Sequence, residues 1–424
     1  MLLQFAVENY LSFRERAVLS MLADPRGEHG PGQVLEGPGG RKVLRIAALY
    51  GANGAGKSNL VKALGAVRDM VLKGTRGDER LPIVPFKLDP ARREAPAHFE
   101  LELVAEGKHC SYGFEATASR VESEWLYEIV PGGEERLLFE REAGEQAPLI
   151  SVGDALSTDP KRRAFMEFVA LGTRQNQLFL AETGERNVVE LEPVRRIIRD
   201  WRLFEPDAPY PPLLHELEND NDFRTLMGLV LKEAGTGIDE LRVVFQEVPP
   251  DSAWHFEGDR YEHLMSLRRL DDGQEVALDI AEESDGTRRL LNLAPILHHM
   301  KSELLFLVDE MERSLHPLLT RMLLQLFFAR AGAGPGAAAQ LIFTTHDTNL
   351  LDRGVLSRDS IWLMEKDPRG GSVMYPLSEL DQAQVDEVER QGKGLERGYL
   401  QGRFGAIPFF GSLEALGFRK DQLL

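Results

Sequence analysis

Eight residues, Gly51-Ala-Asn-Gly-Ala-Gly-Lys57-Ser58, fit the pattern G-x-x-x-x-G-K-[S/T] at every specified position. Glycines let a backbone wrap an anion, so the N–H groups of Asn53, Gly54, Ala55, Gly56, Lys57, Ser58 and Asn59 are candidates for a phosphate cradle. A helix starting at this point would add the positive end of its dipole. Lys57 would reach β- and γ-phosphates, and the Ser58 hydroxyl would ligate Mg²⁺. The bland alternative is a glycine-rich turn before a helix. The context, an apolar strand (VLRIAALY) before and a helical pattern after, is the one that phosphate binding requires.

Three more segments carry reactive groups. Leu304-Leu-Phe-Leu-Val308 ends in Asp309 and Glu310, the Walker B pattern. Asp309 would hold Mg²⁺ and Glu310 would polarise an attacking water. Alone, an apolar strand ending in solvated acids is commonplace; beside a phosphate loop it gains meaning. Glu312 reads as a solvated or supporting acid, with a catalytic part as the lesser alternative. Leu341-Ile-Phe-Thr-Thr345 runs into His346, placed downstream where a switch histidine would meet a γ-phosphate. Glu283-Ser-Asp-Gly-Thr-Arg-Arg289 precedes an apolar helical face, and its Ser284 and Gly286 could form a second anion site. Simple capping of that helix by Ser284 or Asp285 is the competing reading, and wins for this segment alone.

These groups must be positioned by strands and helices that alternate. Strand-like runs at 43–50, 304–308, 341–345 and 360–366, with helices between the later ones, imply an α/β chain with a mostly parallel sheet. Residues 97–142 alternate in the manner of an antiparallel meander, and 159–234 turn helical before strand-like pieces return. The expected organisation is an N-terminal half of a nucleotide-binding head (1–95), an antiparallel β lobe (96–150), a mainly helical insert (151–275), a C-terminal half of the head (276–380) and a tail (381–424). At 424 residues the chain can bury a sizeable core without cross-links. The lone cysteine, Cys110, reads as a small buried hydrophobe and fits a reducing cytoplasm. No apolar run approaches the ~20 residues of a membrane span, and the N-terminus lacks a signal-peptide pattern. A cytoplasmic protein without membrane contact is expected. The net charge of −18 argues against a surface built throughout to grip nucleic acid. A local groove remains conceivable along Lys161-Arg-Arg163 or Arg195-Arg-Ile-Ile-Arg199, although solvated helix faces explain both.

In their order along the chain, the loop at 51–58, Ser284 to Thr287, Leu304 to Glu310 and His346 resemble the head of the ATP-binding-cassette ATPases, in the SMC/RecF-like branch. Val7-Glu-Asn-Tyr-Leu-Ser-Phe13 resembles the opening strand of such heads, and Glu312 to Pro317 their D-loop. Within that branch the chain resembles the stand-alone ATPases of abortive-infection and restriction-linked operons, of the RloA/AbiLi type and the PARIS defence system. Glu283 to Arg288, Asp309 to Pro317, Thr344 to Leu351 and Arg397 to Phe409 carry this likeness. The resemblance implies Mg·ATP as cofactor, Lys57, Glu310 and His346 as catalytic groups, and Ser58 and Asp309 at the metal. It further implies a homodimer closed through ATP, with Ser284 and Gly286 acting in trans, and a separately encoded effector, a Toprim-like nuclease. A RecF/SMC-like ATPase acting on DNA in repair is the alternative, and a transporter ATPase ranks last. Two departures stand out. The signature reads Ser284-Asp-Gly-Thr where Ser-Gly-Gly-Gln is usual, and Pro85 to Asp89 lacks the expected glutamine. The tail after Arg397 reads equally as a packing segment and as a docking element.

Overall fold

The computed structural model describes residues 1–144, 148–206, 208–210, 212–247, 260–300, 304–330, 338–380 and 394–407. Two large sheets dominate. The first has six strands in the order Arg202–Phe204, Leu305–Val308, Gln340–Thr344, Ile46–Gly51, Ile361–Lys366 and Ser372–Pro376. The first five run parallel, and the last closes an antiparallel hairpin. Ile46–Gly51, Leu305–Val308 and Gln340–Thr344 are buried at every position. That is why their sequences are unbroken apolar runs: a parallel sheet is covered on both faces.

The second sheet has seven antiparallel strands, ordered Leu149–Val152, Glu135–Glu142, Val121–Ile129, Lys108–Ala116, Ala97–Ala105, Leu2–Glu8 and Ala17–Ser20. The meander read from the sequence is therefore continuous with the first strands of the chain, which pair with Ala97–Ala105. Buried and half-buried residues alternate along Ala97–Ala105, as one covered face demands. Buried Gln340 links the two sheets. It accepts from the Leu2 N–H at 2.7 Å and donates to the carbonyls of Leu2 (2.9 Å) and Leu44 (3.2 Å).

Alternation along the parallel strands divides the core. Ala47 and Leu49 face helix Lys57–Leu72 and the antiparallel sheet. Ile46, Ala48 and Tyr50 face helices Asn221–Glu233, Asp285–Leu293 and Pro317–Arg330 on the other side. The segment 151–275 holds helices, as its periodicity suggests, and also contributes two strand systems. Arg202–Phe204, read from the sequence as the end of a helix, forms the edge strand beside Leu305–Val308. The helix stops at Arg199, and tertiary pairing overrides the local pattern there. Glu240–Glu247, Arg260–Arg269 and Glu275–Asp279 form a separate three-stranded sheet.

The arginines of the two basic stretches carry their own counter-ions. Arg162 pairs with Glu190, Arg163 with Asp154, Arg195 and Arg199 with Glu192, and Arg196 with Glu106. Cys110 is buried, which pushes its thiol up to about 11 and leaves it unreactive. Among the described residues no helix is long and apolar enough to cross a membrane.

Candidate functional site

Because Ile46–Gly51, Gln340–Thr344 and Leu305–Val308 are parallel neighbours, their carboxyl ends open onto one edge of the sheet. The glycine-rich loop, His346 and the Asp309–Glu310 pair each follow one of these strands directly.

The loop is built to stay open. Gly56 sits at φ 112°, and a Cβ there would collide with the hydroxyl oxygens of Ser372 and Ser12. Those hydroxyls brace the loop from behind. Ser372 Oγ donates to the Ala55 carbonyl at 2.6 Å and lies 2.8 Å from Ser12 Oγ, while Lys366 Nζ donates to Ser372 Oγ at 3.0 Å. Helix Lys57–Leu72 begins without a side-chain cap. The N–H groups of Asn53, Gly54, Gly56, Lys57 and Ser58 have no hydrogen-bond partner among the described residues. Ala55 and Asn59 make contacts within the loop itself. Their N–H groups close turns on the Ala52 and Gly56 carbonyls at 3.1 and 3.0 Å, and the Asn59 side chain donates to Ser12 Oγ at 2.7 Å. These two support the loop from within. Beside Asn59, Leu11, Pro85, Phe86 and Lys366 line a shallow pocket of about 270 Å³.

Lys57 is buried, and its Nζ donates to the carbonyls of Gly51 (2.8 Å) and Ala52 (3.2 Å). Burial pulls its pKa below the ordinary lysine value, and the carboxylates of Glu312, Asp309 and Glu310 oppose that shift. Asp309 Oδ1 accepts from Ser58 Oγ at 3.0 Å and from Thr344 Oγ1 at 2.6 Å. Ser58 and Asp309 thus present a hydroxyl and a carboxylate side by side, hard oxygen ligands that fit Mg²⁺. Thr344 Oγ1 also accepts from the Glu310 N–H at 2.8 Å.

Glu310 adopts φ 49°, a left-handed conformation uncommon for a non-glycine residue. Its side chain is 43% exposed and meets Arg313 at 3.1 Å. Arg289 holds the turn from beneath. Buried in helix Asp285–Leu293, it donates to the carbonyls of Asp309 (2.7 Å), Glu310 (2.8 Å) and Glu205 (3.0 Å). Arg289→Met should leave three carbonyls without this donor and lower stability by about 3 kcal/mol. Urea unfolding measures this, and an unchanged midpoint would refute the supporting role.

His346 is exposed and lies beyond Thr345. Partial burial of its ring, with the Lys57 ammonium nearby, holds its pKa below the usual histidine value, so the imidazole is neutral at pH 7. The His346 backbone N–H donates to Glu312 Oε1 at 2.7 Å. Ser284 caps its own helix: Oγ accepts from the Thr287 N–H at 3.1 Å. A Cβ on Gly286 would stand 2.8 Å from the Ser314 carbonyl, so glycine permits the close packing of that helix on the turn after Glu312. Among the described residues no hydrogen bond joins Ser284 or Gly286 to the loop at 51–58. The fold therefore gathers Lys57, Ser58, Asp309, Glu310 and His346 at one edge, and fastens the signature helix to the far side of the acidic turn.

Residues 46–352 match the family model described as "AAA domain, putative AbiEii toxin, Type IV TA system". The chain belongs to this AAA-domain family. As a member it is an ATPase-type nucleotide-binding domain, and the loop at 51–58 and the acidic turn both lie inside the matched region. Two solved structures are similar over nearly the whole chain. The SMC head domain from Thermotoga maritima shares 12% identity at a TM-score of 0.40, covering 88% of this chain and 98% of its own. The Smc head domain with an extended coiled coil bound to the C-terminal domain of ScpA, derived from Pyrococcus furiosus, shares 10% identity at a TM-score of 0.41, covering 92% of this chain and 99% of its own. No curated protein matches the sequence.

Sequence reasoning passes over three groups of this AAA domain. Thr344, which joins the two acidic-turn residues, carries only the weak signal of a hydroxyl at a strand end. Arg289 looks like one of two helix-surface arginines until its helix is placed. Ser12 and Ser372 lie 360 residues apart and give no joint signal at all.

Proposed function

We propose that this AAA-family chain binds and hydrolyses Mg·ATP as a switch, closing on a second copy of itself and controlling a separately encoded effector, a Toprim-like nuclease, in bacterial anti-phage defence. One observation carries the nucleotide part: an open row of loop N–H groups stands next to a serine and an aspartate that already share a hydrogen bond. The family's description as a toxin of a toxin–antitoxin system supports the defence part. A RecF/SMC-like ATPase acting on DNA is the second reading; the pairing of Arg162, Arg163, Arg195, Arg196 and Arg199 with carboxylates leaves less free positive charge for a groove. The proposed setting is the cytoplasm.

In this reading the N–H nest and Lys57 grip the β- and γ-phosphates, and Ser58 and Asp309 hold Mg²⁺. When bound, the metal neutralises charge on the phosphate oxygens. Glu310 takes a proton from the attacking water, and neutral His346 donates to the γ-phosphate. Phosphoryl transfer needs donors on every side of that group, and one loop covers only part of it. Ser284 and Gly286 of a second protomer would close the remaining side, which ties dimerisation to ATP and release to hydrolysis.

Ser284→Arg should preserve Mg·ATP affinity within about threefold yet abolish ATP-dependent dimers. Sedimentation with and without nucleotide checks this, and dimers that persist count against closure in trans. Affinity capture of Glu310→Gln protein held in ATP, from its native host, tests the effector. One stoichiometric nuclease-like subunit supports the defence reading; DNA and recombination proteins released by salt would replace it with the repair reading.

A further inference from the structure

Glu312 differs from the other two acids of its turn in how its carboxylate is held. Oε1 accepts from the His346 N–H at 2.7 Å. Oε2 is buried and has no hydrogen-bond partner among the described residues. Glu310, by contrast, is solvent-accessible and paired with Arg313. A buried carboxylate oxygen without a donor is unfavourable, and native proteins tolerate it mainly where a ligand, ion or water completes it. The groups that sense Glu312 are those of the phosphate edge. It is the leading charge opposing the burial of Lys57, and it acts on His346 as well. The hydrogen bond from the His346 backbone N–H places the Glu312 carboxylate beside the switch histidine, on the same short turn as Glu310.

We propose that Glu312 Oε2 is the second acceptor for the attacking water, orienting it for Glu310 while Oε1 fixes the His346 peptide. This rests on the ATPase reading above. A water donating one hydrogen to Glu310 and the other to Glu312 has its lone pair left for phosphorus. As the water oxygen bonds to Pγ, the bond from Pγ to the β–γ bridging oxygen breaks and its electron pair leaves on ADP. One water proton passes to the Glu310 carboxylate. The other stays on the oxygen that becomes part of inorganic phosphate. Both carboxylates are required because a single acceptor leaves the water free to rotate.

Glu312→Gln separates this role from a structural one. The amide oxygen can still accept from the His346 N–H, which turns the NH₂ group, a donor, towards the water. Mg·ATP affinity and single-turnover hydrolysis are measured for wild type, Lys57→Ala, Glu310→Gln, Glu312→Gln and the double Glu310→Gln/Glu312→Gln protein. The expected result is about a 30-fold loss of kcat for Glu312→Gln with affinity within about threefold of wild type. The double variant should hydrolyse within about threefold of the slower single variant, because both groups act on one water. Glu312→Gln turnover at the wild-type rate, loss of ATP binding in that variant, or fully multiplicative losses in the double variant would each overturn the proposal. Failure of the ATPase reading looks different: wild type and Lys57→Ala would then be equally inactive, and both ideas would fall together.

Discussion

Lys57→Ala is expected to lose Mg·ATP binding by at least about 100-fold, which corresponds to about 3 kcal/mol. The size follows from where the ammonium sits. It is buried against the loop, and without nucleotide its donors go to two neutral carbonyls, Gly51 and Ala52. Exchanging those weak partners for phosphate oxygens replaces neutral hydrogen bonds by charge-assisted ones. The three nearby carboxylates, Glu312, Asp309 and Glu310, make the site electrically incomplete for a polyanion once the cation is gone. Two hydrogen bonds to the loop are also lost, so a modest fall in the unfolding midpoint should accompany the loss of affinity. Isothermal titration calorimetry with Mg·ATP gives the answer directly. Unaltered binding would mean that the nucleotide does not occupy the loop at 51–58.

Glu310→Gln should show the opposite pattern, with ATP bound as in wild type and turnover slowed by about 100-fold or more. The substitution keeps shape and removes only the ability to take a proton. The backbone of residue 310 is fixed independently of its side chain. Thr344 receives its N–H at 2.8 Å and Arg289 donates to its carbonyl at 2.8 Å, so the left-handed turn should survive. The side chain is accessible enough for a second protomer to cover it, and an ATP-trapped dimer is expected in sedimentation. Rapid-quench hydrolysis together with nucleotide binding separates the two parameters. If turnover were unchanged, Glu310 would not be the base, and the turn's other glutamate, Glu312, would have to act alone.

Much of the site's chemistry is legible in the sequence, because its strongest signals are local. A loop that wraps phosphate needs glycines and a lysine at fixed spacing, and Gly51 to Ser58 supplies them within eight residues. The acids and the histidine announce themselves as polar groups at the ends of buried strands. Adjacency in the sequence cannot tell which N–H groups also close turns on the loop itself, as those of Ala55 and Asn59 do. For Glu312 the sequence leaves solvated, supporting and catalytic readings open, because two residues of separation from Glu310 say nothing about which way a turn points. Part of the tail, residues 394–407, lies against the head. Tyr399 is buried against Tyr50, and its hydroxyl donates to the Ala406 carbonyl at 3.0 Å, so this stretch packs on the head. The rest of the tail sequence that carries the family likeness, Pro408 to Phe409, lies outside the described residues.

By itself the sequence determined the phosphate loop, the α/β class and the strands that deliver the reactive groups, since all three follow from period, residue size and backbone freedom over short spans. Tertiary structure alone decided the rest. Ser58 meets Asp309 across 251 positions and Thr344 meets Asp309 across 35, contacts that exist because parallel pairing sets three strand ends in register. The first strand of the chain joined the antiparallel sheet, Arg202–Phe204 became a sheet edge, and the basic helices met their acids, each through partners far away in sequence. Burial of one oxygen of Glu312 belongs to the same class. Solvent exclusion is a property of the assembled layers, and no run of neighbouring residues encodes it.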